Sequence, residues 1–408
     1  VGDIDGNTGL IAEAIDRARE HEADLVVLPE LGVIGYPPKD MLLKPAAIEQ
    51  CEAAIEQLAD HCRGIAAIIG YPARSARSTG RTLHNAAAFC RDGRVEKRFG
   101  KTLLPTYDVF DELRYFEPSH EGPAGDVIEV ASTTVGVTIC EDLWNDEAIL
   151  GRRIYHDDPI APLKDAGAQV LINCSASPYV VGKHELRLDL FARAAKRFGL
   201  PIVYCNQVGG NDELVFDGNS CVIDRNGKVV AHAKDFREDL LIADVVADEA
   251  EGEEGGASAP VGRIETPSQS MASVYHALTL GLRDYCRKCG FDSLVVGLSG
   301  GIDSAVTGAL AVGAMGSEQV RGIAMPSRFS SGHSVSDAEQ LAANLDIAFH
   351  TVPIGEAHDA FEHMLQPHFE GRDRDVTEEN IQARVRGVVL MAFSNKFGSM
   401  LVTTGRSE

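Results

Sequence analysis

The chain has 408 residues, 44% of them hydrophobic and 24% charged. At ~150 residues per domain this length accommodates two or three domains, and the composition excludes a disordered, collagenous or coiled-coil chain. A formal net charge of −23, from 61 acidic and 38 basic residues, repels phosphate backbones and anionic lipid, so neither nucleic acid nor a membrane is expected as principal partner.

Val1 to Thr8 reads as a loop entering a helix that runs from about Thr8 to His21. An α/β sheet wants a strand before such a loop, so a longer chain is expected. Asp24 to Leu28 reads as a strand, Ala46 to Cys62 as a helix and Ile65 to Gly70 as a strand. Thr82 to Cys90 and Gly93 to Phe99 form a predicted hairpin around Asp92-Gly93. Val127 to Ala131 and Thr134 to Ile139 read as a second strand pair. A strand at Val170 to Cys174, a helix at Glu185 to Phe198 and a strand at Ile202 to Cys205 follow. Ser220 to Val230 reads as a hairpin around Asn226-Gly227. Strands joined by both hairpins and crossover helices predict an α/β layered fold with a mixed sheet.

Asp248 to Ser270 is acidic, then rich in Gly, Ala, Ser and Pro, and has no apolar periodicity. It reads as a linker between a first domain, residues 1–247, and a second, residues 271–408. The second alternates regularly. Helices are expected at Val274 to Cys289, Asp303 to Met315, Ser334 to Leu345 and Glu378 to Lys396. Strands are expected at Leu294 to Leu298, Val320 to Met325, Phe349 to Pro353 and Met400 to Thr404. The pattern predicts a doubly wound parallel sheet, with further sequence expected beyond Glu408.

The nine Cys are odd in number and irregularly spaced, which predicts free thiols in a reducing, cytoplasmic compartment. Cys286 and Cys289 form a lone pair with no second pair, so metal binding is not expected there. His333 and Asp337 are candidate ATP contacts, although helix capping by Ser334 or Ser336 is the simpler reading of that segment.

The strongest local signal is Ser299-Gly-Gly-Ile-Asp-Ser304, between an apolar strand and an apolar helix. Two glycines permit a tight turn and close approach to a ligand. The helix-start amides then face an anion. Asp303 beside a phosphate implies a divalent cation between them, and Mg²⁺ with oxygen ligands fits. This is not a Walker loop, because Gly-Lys-Ser/Thr is absent.

Three apolar strands of the first domain each lead into a reactive residue: Glu30, Lys101 and Cys140. A thiol needs a base to attack an amide at neutral pH, a carboxylate in a dry site serves as one, and a fixed ammonium stabilises the oxyanion. Taken singly, Cys140 reads as a packed thiol, Glu30 as a loop carboxylate and Lys101 as a surface charge.

Together these segments resemble known families. Ser-Gly-Gly-x-Asp-Ser resembles the pyrophosphate loop of the ATP pyrophosphatase superfamily, whose members cleave ATP between the α and β phosphates and adenylate an acyl group. Met325-Pro-Ser-Arg-Phe-Ser-Ser331, Glu379-Asn-Ile-Gln-Ala-Arg-Val-Arg386, Phe393-Ser-Asn-Lys-Phe397 and Thr403-Thr-Gly405 resemble the NAD synthetase members. That resemblance implies ATP binding by Ser299, Gly300, Gly301, Asp303 and Ser304. It also implies deamido-NAD binding by Asn380 and Arg384, and Mg²⁺ binding by Asp303 and Glu408. The final string, Thr404-Gly-Arg-Ser-Glu408, is one residue shorter than the family's pattern.

Leu28-Pro-Glu-Leu31, Lys101-Thr-Leu-Leu-Pro-Thr-Tyr107 and Ile139-Cys-Glu-Asp-Leu-Trp144 resemble the nitrilase superfamily. Val109-Phe-Asp-Glu112 and Asn173-Cys-Ser-Ala-Ser-Pro-Tyr179 are similar to the glutaminase domain of glutamine-dependent NAD synthetases. The resemblance implies an α-β-β-α sandwich with Cys140 as nucleophile, Glu30 as base and Lys101 as oxyanion stabiliser. It implies glutamine contacts from Tyr107, Glu141, Ser177 and Lys183. The expected reaction is ATP- and Mg²⁺-dependent amidation of deamido-NAD to NAD⁺ with ammonia from glutamine. Free ammonia is protonated in bulk water, so a shielded path is expected, and a path between subunits requires the homo-oligomer that the family shows. The alternatives are a synthetase for another acid and a non-catalytic nucleotide-binding protein.

Overall fold

The computed structural model describes residues 1–119, 127–247, 262–328, 330, 332–369 and 371–404. The chain divides into two compact units, Val1–Ala277 and Leu278–Glu408.

In the first unit, helix α1 (Ile4–Glu20) starts earlier than expected. The Asp3 carboxylate accepts from the Gly6 amide at 3.0 Å and so caps a turn that reads as loop. Strand β1 (Leu25–Val27) runs parallel to β2 (Ala66–Arg74), connected through helix α2 (Pro45–His61). β2 pairs antiparallel with β3 (Leu83–Arg91), and β3 with β4 (Arg94–Gly100). Asp92 and Gly93, at φ +53° and +81°, make the predicted tight turn.

The second sheet has the order β12-β11-β8-β7-β6-β5. Its strands are β5 (Val127–Val130), β6 (Thr133–Ile139), β7 (Val170–Ser175), β8 (Ile202–Asn206), β11 (Cys221–Ile223) and β12 (Val229–His232). β6, β7 and β8 are parallel. Helices α3 (Glu147–Leu150) and α4 (Ile160–Asp165) lie between β6 and β7, and α5 (Lys183–Phe198) between β7 and β8. A small hairpin of β9 (Val208–Asn211) and β10 (Leu214–Asp217) escapes sequence reading, as do α3 and α4, because each is too short to show a period.

The layering follows from strand alternation. Ala67, Ile69 and Tyr71 of β2 face the core shared with Ile15, Ile55 and Leu58 of the helices. Ala66 and Ile68 face the other way, against Val137, Ile139, Val170 and Ile172 of the second sheet. Leu171, Ile202 and Tyr204 meet Leu190, Phe191 and Ala194 of α5 on the far side. This is the expected α-β-β-α sandwich.

Residues 248–261 of the expected linker lie outside the described residues. Residues 262–268 are held by the first unit: His232 donates to Arg263 O at 2.8 Å, and Ser268 donates to Asp235 Oδ2 at 2.7 Å. They are bound chain, not free spacer. Helix α6 (Ser270–Cys289) contains the boundary between the units.

In the second unit β13 (Leu294–Gly297), β14 (Val320–Ala324), β15 (Ala348–Thr351) and β16 (Met400–Val402) form a parallel sheet of order β15-β14-β13-β16. Helices α7 (Ile302–Met315), α8 (Gly332–Asn344), α9 (Gly355–Leu365) and α10 (Val376–Phe397) provide the crossovers. α9 is unexpected from sequence. α8 begins at Gly332, so Ser334 and Ser336 lie inside the helix; Ser336 Oγ donates back to His333 O at 3.0 Å. The strand order reverses between β13 and β16, which puts a ligand crevice at their carboxyl ends. Among the described residues no helix is long and apolar enough to cross a membrane.

Candidate functional site

β1, β4, β6 and β7 end at one edge of the sandwich, and each hands a polar residue to the same interior. Glu30 follows β1, and Gly70 of β2 makes room for it. A Cβ at Gly70 would stand 2.3 Å from Pro29 O and 2.5 Å from Leu31 N. Lys101 follows β4, and its Nζ lies 2.7 Å from Glu30 Oε1 and 2.8 Å from Glu112 Oε1. Asn85 Nδ2 of β3 donates to Glu30 Oε1 at 2.7 Å and to Glu112 Oε2 at 3.3 Å. The Ala176 amide after β7 donates to Glu30 Oε2 at 2.9 Å, and Tyr36 Oη donates to Glu112 Oε1 at 2.9 Å. Every one of these groups is buried.

Cys140 follows β6 on a sharp turn at φ +44° and is 4% exposed. Burial pushes its thiol up, the Glu30 charge pushes it further, and Lys101 opposes both. The thiol is therefore neutral at rest. Burial would depress the Lys101 ammonium, but Glu112 and Glu30 beside it hold it above its ordinary range. Burial pushes Glu112 up to about 7, against Lys101 and with help from Glu30. Asp142 is likewise pushed up to about 7 by burial, against the amides of Ile139, Leu103 and Thr102.

The Glu112 shift has a consequence for stability. A carboxyl raised in the folded state contributes stability at low pH that is lost as pH rises through about 7. Glu112→Gln removes this contribution, while Asp142 retains one of the same sign. The fall in melting temperature between about pH 5 and pH 7 is therefore expected to shrink in the variant. An undiminished slope in scanning calorimetry would refute it.

Beside the thiol, Glu141 receives two phenols: Tyr107 Oη at 2.8 Å and Tyr155 Oη at 2.9 Å. Burial raises the Glu141 carboxyl, opposed by Lys101 and both phenols. Lys183, at the start of α5, lies 5.4 Å over the Trp144 ring, and burial lowers its ammonium. Ser177 is buried, with its amide on Asn206 Oδ1 at 2.8 Å. Lys183 feels the charge of both Glu141 and Cys140, so a carboxylate and an ammonium flank the thiol, which suits a zwitterionic amino acid.

In the second unit a cavity of about 310 Å³ opens at the carboxyl ends of β13, β14 and β16. Ser299 and Ser304 line it. Ser304 Oγ donates to Gly301 O at 2.9 Å and meets Ser299 Oγ at 3.1 Å, which closes the loop at the start of α7. Gly301 and Asp303 are exposed and Gly300 half-buried; none of the three is among the lining residues. Asn380 and Arg384 are exposed on α10, with Arg384 Nη1 donating to Asn380 O at 3.2 Å, and they too lie outside the lining. Arg386 lines the cavity instead and donates to Met325 O at 3.2 Å. Ser334 also lines it, whereas His333 and Asp337 do not. Glu408 lies outside the described residues. His358, Asp359 and Glu362 have metal-ligand spacing, but Arg328 and Arg374 already hold Glu362.

Sequence reasoning assigned no role to Asn85, Glu112, Asp142, Tyr155 or Arg386. Glu112 and Asp142 stand inside the informative strings and were legible as neighbours of the site. Asn85 lies 55 residues from Glu30 along the chain, and nothing local marks it.

The comparisons agree with both units. A family model for carbon–nitrogen hydrolases matches residues 1–252, and one for NAD synthases matches residues 274–408. A glutamine-dependent NAD(+) synthetase of Synechocystis sp. is 43% identical over 412 residues, which is 100% of this chain and 72% of the relative. One from Xanthomonas campestris pv. campestris is 42% identical, with 100% and 70% covered. The structure of the glutamine-dependent NAD+ synthetase from Acinetobacter baumannii in complex with ADP superposes with a TM-score of 0.88 at 37% identity, covering 100% of this chain and 72% of that one. With a buried Cys, Glu and Lys in one unit, a Ser-Gly-Gly-Ile-Asp-Ser loop at a cavity in the other and relatives matched across both, the chain belongs to the glutamine-dependent NAD⁺ synthetases, ligases that use ATP to amidate deamido-NAD to NAD⁺.

Proposed function

We propose that residues 1–247 are the glutaminase domain, with Cys140 as nucleophile, Glu30 as general base and Lys101 as oxyanion stabiliser. The supporting observation is a buried thiol beside a buried carboxylate and ammonium that lie 2.7 Å apart. Glu30 takes the thiol proton as sulfur attacks the carboxamide carbon. The oxygen gains charge facing Lys101. Collapse expels ammonia, which carries away the proton from Glu30 and leaves a γ-glutamyl thioester. Water, deprotonated by Glu30, releases glutamate. Glu141 and Lys183 hold the substrate's ammonium and carboxylate, with Tyr107 and Ser177 beside them.

Residues 271–408 form the synthetase domain. Ser299, Gly300, Gly301 and Ser304 cradle the ATP phosphates at the start of α7, aided by its dipole. The exposed Asp303 carboxylate would repel those phosphates by itself; a hard oxygen donor at such a place fits Mg²⁺, which would be held by Asp303, and by Glu408 as a second ligand, and would supply charge neutralisation. Asn380 and Arg384 bind deamido-NAD, whose nicotinate carboxylate is adenylated with loss of pyrophosphate. Ammonia then displaces AMP. The protein acts in the cytoplasm as a homo-oligomer, which sedimentation analysis tests.

Glutamine with hydroxylamine is expected to give γ-glutamyl hydroxamate from the wild type and none from Cys140→Ala. Absence of hydroxamate from the wild type would remove the thioester.

A further inference from the structure

We infer that Asp142 is a positioning residue of the glutaminase reaction, its carboxylate setting the distance between the Cys140 turn and the Lys101 loop. The two loops belong to different sheets. Cys140 follows β6 of the six-stranded sheet, and Lys101 follows β4 of the four-stranded one. The sheets meet through apolar side chains, among them Ile68, Phe89, Val137 and Ile172. Apolar contact is non-directional and does not by itself align two loops to a fraction of an ångström.

Asp142 supplies a directional link. Its Oδ1 accepts from the amides of Thr102 at 3.1 Å and Leu103 at 2.8 Å, the two peptide groups that follow Lys101. Its Oδ2 accepts from the Ile139 amide at 3.0 Å, immediately before Cys140. One carboxylate, 4% exposed, thus grips both loops by their backbones. The neighbouring carboxylates have other duties: Glu30 and Glu112 face Lys101, and Glu141 faces the two phenols.

The chemistry makes that distance matter. Lys101 must meet an oxygen that gains its charge only as sulfur attacks. A donor misplaced by about 1 Å forfeits about 10²-fold in rate. Asp142 touches no reacting atom and acts through Lys101 and Cys140, so the inference rests on the roles proposed for those two residues.

Asp142→Asn tests it. The amide keeps the shape but turns one acceptor into a donor that faces backbone N–H. Glutaminase kcat is expected to fall about 10²-fold with the glutamine KM within about twofold. Alkylation of Cys140 by iodoacetamide needs no oxyanion cation and is expected to stay within about threefold of wild type. NAD⁺ formation from ammonium is expected to be unchanged. Should Asp142→Asn fail to accumulate, Asp142→Ser, smaller and roomy enough for a bridging water, carries the same test. A kcat within about threefold of wild type would overturn the inference. So would collapse of alkylation alongside kcat, which would mean the thiol itself had moved. If Cys140→Ala keeps glutaminase activity, the roles of Cys140 and Lys101 fail instead.

Discussion

Cys140→Ala is expected to lower glutamine-driven NAD⁺ formation by about 10³-fold or more, while ammonium-driven formation stays within about twofold. The asymmetry follows from chemistry divided between two sites. Without sulfur there is no atom in the first site to attack the carboxamide. Glu30 and Lys101 cannot substitute, because a carboxylate and an ammonium already bound to each other at 2.7 Å present no comparable nucleophile. The second unit has its own cavity and loop, and the substitution removes nothing from them. Alanine for a buried thiol deletes one atom, so a small drop in melting temperature is expected and global unfolding is not. Parallel assays with the two nitrogen donors check both halves. Full glutamine-driven activity in the variant would remove Cys140 from the mechanism.

Gly300→Ala is expected to lower NAD⁺ formation with either donor by about 10²-fold or more, and to leave basal glutamine hydrolysis, measured without ATP, unchanged. Gly300 sits at φ +77°, where a side chain is strained. Its Cβ would also stand 2.4 Å from Ser334 O and 2.8 Å from Ser334 Cα. These are backbone atoms of α8, which cannot swing aside as a side-chain tip can. Either the loop leaves its place or α8 is displaced, and Ser334 lines the cavity, so both outcomes deform the nucleotide site. Retention of wild-type activity with ammonium would show that the loop tolerates a Cβ and does not approach the phosphates.

Much of the secondary structure was legible because long elements carry their own period. α2, α5, α7 and α10 lie within a few residues of their expected bounds, and the Asp92-Gly93 hairpin follows from turn chemistry. Short elements were not legible. The β9–β10 hairpin and helices α3 and α4 contain too few residues for an apolar repeat, and α1 begins early because one capping carboxylate outweighs a loop-like composition.

For the site, local pattern marks candidates and no more. Glu30, Lys101, Cys140 and the Ser299–Ser304 loop stand out as polar residues at the ends of apolar runs. Those runs become strands, and residues just past strand ends are where a packed sheet leaves room for function. Only the tertiary structure decided which of them meet. The pairing of β1 to β4 in one sheet brings residues 71 positions apart, Glu30 and Lys101, to 2.7 Å. The fold also recruits Asn85, 55 residues from Glu30, Glu112, 11 from Lys101, and Asp142, 39 from Leu103. It also places Arg386 on the cavity wall and Arg384 outside it, because positions two apart on a helix differ by about 200° in direction. Local pattern reports which way a side chain faces within its own element; which distant group it faces is set by how the elements pack.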